Sequence, residues 1–329
     1  MKYIDLHCDT IMHAFLHKQE DCWETTGMCD VKRLQKAGCL AQSLGIFMLP
    51  PHSSLWEKYG HIYTSDDDYM RACKKIFDTT MERYSNVIAS ACCAKDVLEN
   101  EKQGKISAFM TVEDGRGLNG SVDHVQDYYN WGVRIMTILW NRENCLGYPN
   151  SKDVSVMEKG LKPFGKDAVA RMHEIGMMVD VSHLSDGGFW DVAELSKLAK
   201  KPFVATHSNA RALSPHPRNL TDEMIRAVAE SGGVVGLALM PEFLNADAVS
   251  KQSRVDLMIQ HVRYMLNVGG EDLLSIGTDF DGFDGELEIA GPEDMYKLFD
   301  GLRKSGFSES TIEKLAYKNA LRVMQDILG

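Results

Sequence analysis

Eight short apolar runs punctuate the chain, at residues 3–6, 41–48, 106–112, 133–139, 177–182, 203–206, 234–239 and 274–278. Most are continuously apolar, the pattern of parallel strands buried on both faces. Helical patterns fill the intervals, at residues 66–85, 166–175, 186–199, 222–231, 253–267, 292–305 and 309–327. Starts such as Thr221-Asp222-Glu223 and Ser308-Glu309, and closing glycines at Gly176 and Gly269, bound several of them. Strand–helix alternation of this kind builds parallel βα units. Eight strands suit a closed (β/α)8 TIM barrel better than an open doubly wound sheet, which remains the alternative.

The 329 residues are enough for one large barrel with a buried core, and residues 1–329 are read as a single domain. Residues 49–64 and 141–162 read as long loops on the rim side of the second and fourth strands, where they would roof a site. The net charge of −11 gives a field that repels nucleic acid and anionic membrane. No apolar run approaches the ~20 residues that span a bilayer. The N-terminus lacks the apolar core of an export signal. The eight cysteines cluster early and form no paired CxxC, so reduced thiols and a cytoplasmic location are expected.

Six polar residues sit at or just past the ends of these runs: His7, Asp9, Glu113, His183, His207 and Asp279. Catalytic groups of a (β/α)8 barrel occupy that rim. His7 and Asp9 are two apart, so on a strand both side chains point the same way and can reach one metal. Glu113 ends a buried strand, where its two oxygens can bridge two cations. His183 and His207 end successive strands, ~4.8 Å apart if paired, at a height that lets two imidazoles share a metal. Asp279 can take a proton from a metal-activated water; Asp281, in an Asp-Gly pair, suits a turn instead. Arg218 can grip a carboxylate with its fork, and His216 is a weaker neighbour. Each residue taken singly also has a plain structural reading: a satisfied histidine, a loop acid, a surface arginine. His13, His17, His52, His61, His124, His173 and His261 read as structural or surface residues, and Met136, Met177 and Met178 as core filling. No GxSxG, HExxH, Walker loop or strand-linked GxGxxG is present, which leaves a metal-activated water as the nucleophile.

Nearly end to end, the chain resembles the membrane (renal-type) dipeptidase family, within the amidohydrolase-like metal-dependent hydrolases. The landmarks are Asp5-Leu-His-Cys-Asp-Thr10, Val112-Glu-Asp-Gly115, Gly132-Val-Arg-Ile-Met-Thr137, Gly176-Met-Met-Val-Asp-Val-Ser-His183, Ala205-Thr-His-Ser-Asn-Ala-Arg211, His216-Pro-Arg-Asn219 and Ile276-Gly-Thr-Asp-Phe-Asp-Gly282. Lys318-Asn-Ala-Leu-Arg-Val323 is similar to the family's final helix.

The resemblance implies a barrel of the metal-dependent hydrolase type with two zinc ions, one held by His7 and Asp9, the other by His183 and His207, and Glu113 bridging. It implies that Arg218 binds the C-terminal carboxylate of a small dipeptide, that Asp279 shuttles protons, and that a C-terminal D-residue is tolerated. The expected reaction is hydrolysis of the dipeptide amide by a hydroxide bridging the two zincs. A homodimer of the soluble, bacterial-type branch is implied as well.

One departure stands out. Where some members carry a histidine after the fourth strand, this chain has Trp140, followed by Asn141. Tryptophan cannot act as an acid, so contact with the substrate carbonyl falls to zinc, to the Trp140 indole N–H or to Asn141. Two other readings stay open: a binuclear amidohydrolase acting on a lactone, cyclic amide or phosphoester, and a non-catalytic binding protein on a retained barrel.

Overall fold

The computed structural model describes residues 1–49 and 65–329. Its strands are β1 (Tyr3–Cys8), β2 (Cys39–Phe47), β3 (Ile88–Ser90), β4 (Ile106–Glu113), β5 (Val133–Thr137), β6 (Met178–Asp180), β7 (Val235–Leu237), β8 (Gln252–Ser253), β9 (Leu274–Ile276) and β10 (Glu286–Leu287). The main sheet runs β6-β5-β4-β2-β1-β9-β7, and its pairings are parallel. Two single bridges, Asp180 to Val204 and Ala205 to Val235, close it into a ring. Residues 203–206 thus take the eighth barrel position, as the apolar pattern predicts. The fold is the expected α/β barrel.

The seam at residues 203–206 is tight as well as short. A side chain at Gly236 or Gly277 would place its Cβ 1.9 or 1.7 Å from the Thr206 carbonyl oxygen. Only glycine permits that approach. Strand β3 is an addition that the apolar pattern does not announce. It pairs with the first residues of β4, Ile88 opposite Ile106, before β5 takes over that edge from Met110 onward. Three residues are too few to show a period. Strands β8 and β10 form a separate parallel pair.

Helices follow the strands as expected, several with side-chain caps. Ser185 accepts from the Gly188 amide ahead of helix Asp186–Ala199, and Thr221 from the Met224 amide ahead of helix Asp222–Glu230. The expected helix over 292–305 divides into a short 3₁₀ turn, Pro292–Asp294, and helix Tyr296–Lys304. The last one, over 309–327, is interrupted by a π-helical stretch, Lys314–Lys318. The final helix, Asn319–Leu328, buries Ala320, Val323, Met324 and Ile327 against Ile4, Phe109, Ile135 and Met178, toward the strand ends opposite the rim.

Of the two expected loops, residues 50–64 lie outside the described residues. Residues 141–162 do cross the rim: Pro149 bridges Leu184, and Asn141, Asn150, Ser151 and Lys152 line the cavity beneath. The eight cysteines are all free thiols. Among the described residues, no helix is long and apolar enough to cross a membrane.

Candidate metal centre

The barrel brings the six rim residues into one buried cluster. His7 lies on β1 with Asp9 just past it, and Glu113 is the last residue of β4. His183, His207 and Asp279 follow β6, residues 203–206 and β9. All six are buried. His183 and Asp279 adopt left-handed backbone, with φ of 71° and 65°. That conformation costs a non-glycine residue on the order of 1–3 kcal/mol and gathers at functional sites. It is held by hydrogen bonds: the His183 carbonyl accepts from the Asn150 amide at 2.8 Å, and the Asp279 amide donates to the His7 carbonyl at 3.1 Å.

Glu113 is the hub. Its Oε1 lies 2.9 Å from His183 Nε2 and 3.5 Å from His207 Nε2, and its Oε2 lies 3.7 Å from His7 Nε2. His7 Nε2 is also 3.9 Å from Asp9 Oδ1 and 3.7 Å from Asp279 Oδ1. The rings of His7 and His207 stack with centroids 4.0 Å apart. Ligand atoms of His7, Glu113 and His207, and of His7, Asp9 and Asp279, fall within 4.8 Å of one another.

Electrostatics fit a divalent cation here. Burial pushes the Asp9 and Glu113 carboxyls well above the usual carboxylate range, and neighbouring carboxylates push them further. Burial lifts Asp279 to about 7 against the opposing pull of Arg218. Burial also lowers His7 to about 4, and His183 and His207 well below the ordinary imidazole value. Neutral imidazoles and crowded carboxylates offer several lone pairs to a cation. Buried His7 Nε2 and Asp9 Oδ1 have no hydrogen-bond partner at all. A cation is the simplest group that satisfies both.

Beside the cluster opens a cavity of about 580 Å³, lined by Asp9, Glu113, His183 and Asp279 on one side and by His216, Arg218 and Phe243 on another. Arg218 is buried, not a surface residue. It donates to Ser208 Oγ at 2.9 Å and to the His207 carbonyl at 3.0 Å, while its Nε has no partner. Burial lowers it to about 10, so it stays charged near neutrality. His216 packs on Phe243 and accepts from the Arg218 amide. Trp140 also lines the cavity, edge-on to Phe47 at 4.9 Å. Asn141 lies there too, but its Oδ1 is 2.8 Å from His183 Nδ1, so it also holds that ring. Asp281 turns away, accepting from Thr10 Oγ1 and the Met28 amide.

Two further aspartates, Asp5 and Asp180, are buried in the strands and carry no site role in the sequence pattern. Asp5 accepts from the His7 and Thr278 amides and from Thr278 Oγ1. Asp180 accepts from the Ser182 and Thr206 amides and from the Thr206 and Thr137 hydroxyls. The available signal was an acidic residue inside an apolar run, two or three positions before a rim histidine.

Comparison with known proteins gives the family. The family model for membrane dipeptidase (peptidase family M19) matches residues 1–328. A Klebsiella pneumoniae protein encoded in the pqqA 5' region is 35% identical over 244 residues, 72% of this chain and 88% of its own length. The dipeptidase tcpJ of Claviceps purpurea is 28% identical over 92% of this chain and 70% of its own length. Among solved structures, a metallo peptidase of family M19 named dipeptidase AC superposes with a TM-score of 0.88 at 26% identity, over 100% of this chain and 99% of that one. A Rhodobacter sphaeroides metallo peptidase, liganded with a phosphinate mimic of L-Ala-D-Ala, shares the fold at TM-score 0.87 and 24% identity over 99% of both chains. This chain belongs to the membrane dipeptidase family, peptidase family M19, and is a hydrolase of the metallo-dipeptidase type.

Proposed function

We propose that the enzyme is a binuclear zinc dipeptidase that cleaves the amide bond of free dipeptides, including those with a C-terminal D-residue. His7 and Asp9 would hold one zinc, His183 and His207 the other, and Glu113 both. The observation that carries this reading is the position of Glu113, with one oxygen toward His183 and His207 and the other toward His7. Imidazole and carboxylate donors suit zinc. Cations bound there supply Lewis acidity, which lowers the pKa of water and polarises a carbonyl.

The chain's own residues do the rest. Asp279, buried beside His7 and Asp9, accepts the attacking water's proton at its carboxylate and delivers it to the leaving amine. Arg218 receives the C-terminal carboxylate of the dipeptide, which its unpartnered Nε can help to grip. Trp140 forms an apolar wall, and Asn141 fixes His183 while facing the substrate space. The cavity is of small-ligand size and so favours very short peptides. The dipeptide mimic bound by the Rhodobacter sphaeroides protein supports acceptance of a D-residue.

A panel of L-L and L-D dipeptides, assayed with and without chelator alongside metal analysis, tests this reading. Two zinc ions per chain, and turnover abolished by chelation and restored by zinc, are expected. Turnover that persists in metal-free protein would refute it.

A further inference from the structure

We infer that Asp180 is a positioning residue for His207: through the Thr206 hydroxyl, it dictates which ring nitrogen of that histidine carries the proton. The consequence for metal binding rests on His207 being a ligand, as proposed above; the hydrogen-bond chain itself does not.

Asp180 is fully buried at the end of β6. Its Oδ1 accepts from the Ser182 and Thr206 amides, both at 2.9 Å, and its Oδ2 accepts from Thr206 Oγ1 and Thr137 Oγ1, both at 2.6 Å. Four donors converge on its two oxygens, and both threonine hydroxyl protons point at it. The Thr206 hydroxyl has one proton, and Asp180 takes it. Thr206 Oγ1 also lies 2.8 Å from His207 Nδ1, while Ser182 Oγ is more distant at 3.5 Å. With its proton committed, Thr206 can meet Nδ1 only as an acceptor. A neutral imidazole carries one N–H, so the proton sits on Nδ1 and Nε2 keeps a bare lone pair. That lone pair is on the nitrogen facing Glu113 Oε1 at 3.5 Å and His183 Nε2 at 3.1 Å.

His183 reaches the same state by another route, because its Nδ1 meets the Asn141 amide oxygen, a pure acceptor. The two Nε2 atoms then face each other with no proton between them, an arrangement that a cation stabilises. Asp5 makes the matching clamp across the barrel on Thr278, but the residue after Thr278 is Asp279, which has no ring to orient. Control of a tautomer therefore belongs to Asp180 alone of the two.

Asparagine at position 180 would reverse the chain. Its amide oxygen can still take the two backbone N–H groups, but its nitrogen must donate to Thr206 Oγ1. Thr206 then donates to His207 Nδ1, and the ring proton moves to Nε2, where it blocks a ligand. The test combines imidazole nitrogen NMR of the metal-free full chain with zinc affinity by chelator competition, for Asp180→Asn, Thr206→Val and Thr206→Ser. Wild type should carry the His207 proton on Nδ1, and Asp180→Asn on Nε2. Zinc affinity should fall roughly 10- to 100-fold in Asp180→Asn and Thr206→Val. Thr206→Ser keeps the hydroxyl and should stay within about threefold. If Asp180→Asn does not fold, the valine–serine pair decides, since only valine lacks the hydroxyl. A wild-type proton on Nε2, or wild-type zinc affinity in Thr206→Val, would overturn the inference. A protein that binds no zinc, yet shows the proton on Nδ1 and its shift in Asp180→Asn, would sustain the relay and remove His207 from the ligand set.

Discussion

Gly282 offers the sharpest test of how little room the site has. A Cβ built there would lie 2.5 Å from Asp279 Oδ1 and 2.6 Å from Asp9 Oδ2. Non-bonded carbon contacts settle near 3.5 Å, so in Gly282→Ala both carboxylates must retreat by about 1 Å. Misplacing reacting groups by about that distance costs on the order of 100-fold in rate. The fold should not suffer. Gly282 is exposed and lacks a positive φ, so the shorter list of unfolded conformations open to alanine offsets the local repulsion, by about 0.4–1 kcal/mol. Gly282→Ala should therefore keep its thermal midpoint within a few degrees of wild type while kcat/KM on a good dipeptide falls about 100-fold. Calorimetry and steady-state hydrolysis on the same preparation read both. Activity within twofold of wild type would refute the claim that Asp9 and Asp279 must stand where they do.

Asp279→Asn should lower kcat by about 100-fold or more with metal content unchanged; metal loss would make Asp279 a ligand rather than a proton carrier. Arg218→Met should cost roughly 10- to 150-fold in kcat/KM on free dipeptides, the worth of a charge-assisted hydrogen bond, and far less on the C-terminal amides. An equal loss on both would separate Arg218 from the carboxylate. Stability should decline from pH 6.5 toward pH 4. Burial lowers His173 and His261 to about 4 in the folded protein, against ~6.5 unfolded, so the unfolded chain binds more protons in that window. Each contributes a slope of up to ~1.4 kcal/mol per pH unit, and urea unfolding at pH 7 and pH 5 should show a smaller drop in His173→Gln than in wild type. Identical drops would mean that His173 titrates normally.

The strand ends could be read from the sequence because a parallel barrel buries each strand on both faces and releases the chain at the rim. A polar residue after an apolar run is therefore conspicuous, and His7, Glu113, His183 and His207 announce themselves. What holds them does not. Asp180 acts through Thr206, which lies across a strand gap that no local pattern encodes. Asn141 stood out for its neighbourhood to Trp140, yet its oxygen meets a histidine 42 positions away. Arg218 looks like a surface residue until residues 207 and 208 are seen to enclose it. The 203–206 run is legible as a strand, but the close approach of Thr206 to Gly236 and Gly277 on its β7 side is not.

The first strand of the ring is zipped to the last, Asp5 opposite Ile276 and Cys8 opposite Phe280. A ribosome thus delivers His7 tens of seconds before Asp279, at roughly 5–20 residues per second. Until then β1 has no β9 to close against, and the place beside His7 that Asp279 takes is unfilled. The proton carrier proposed for the reaction thus joins the site last, as the ring closes.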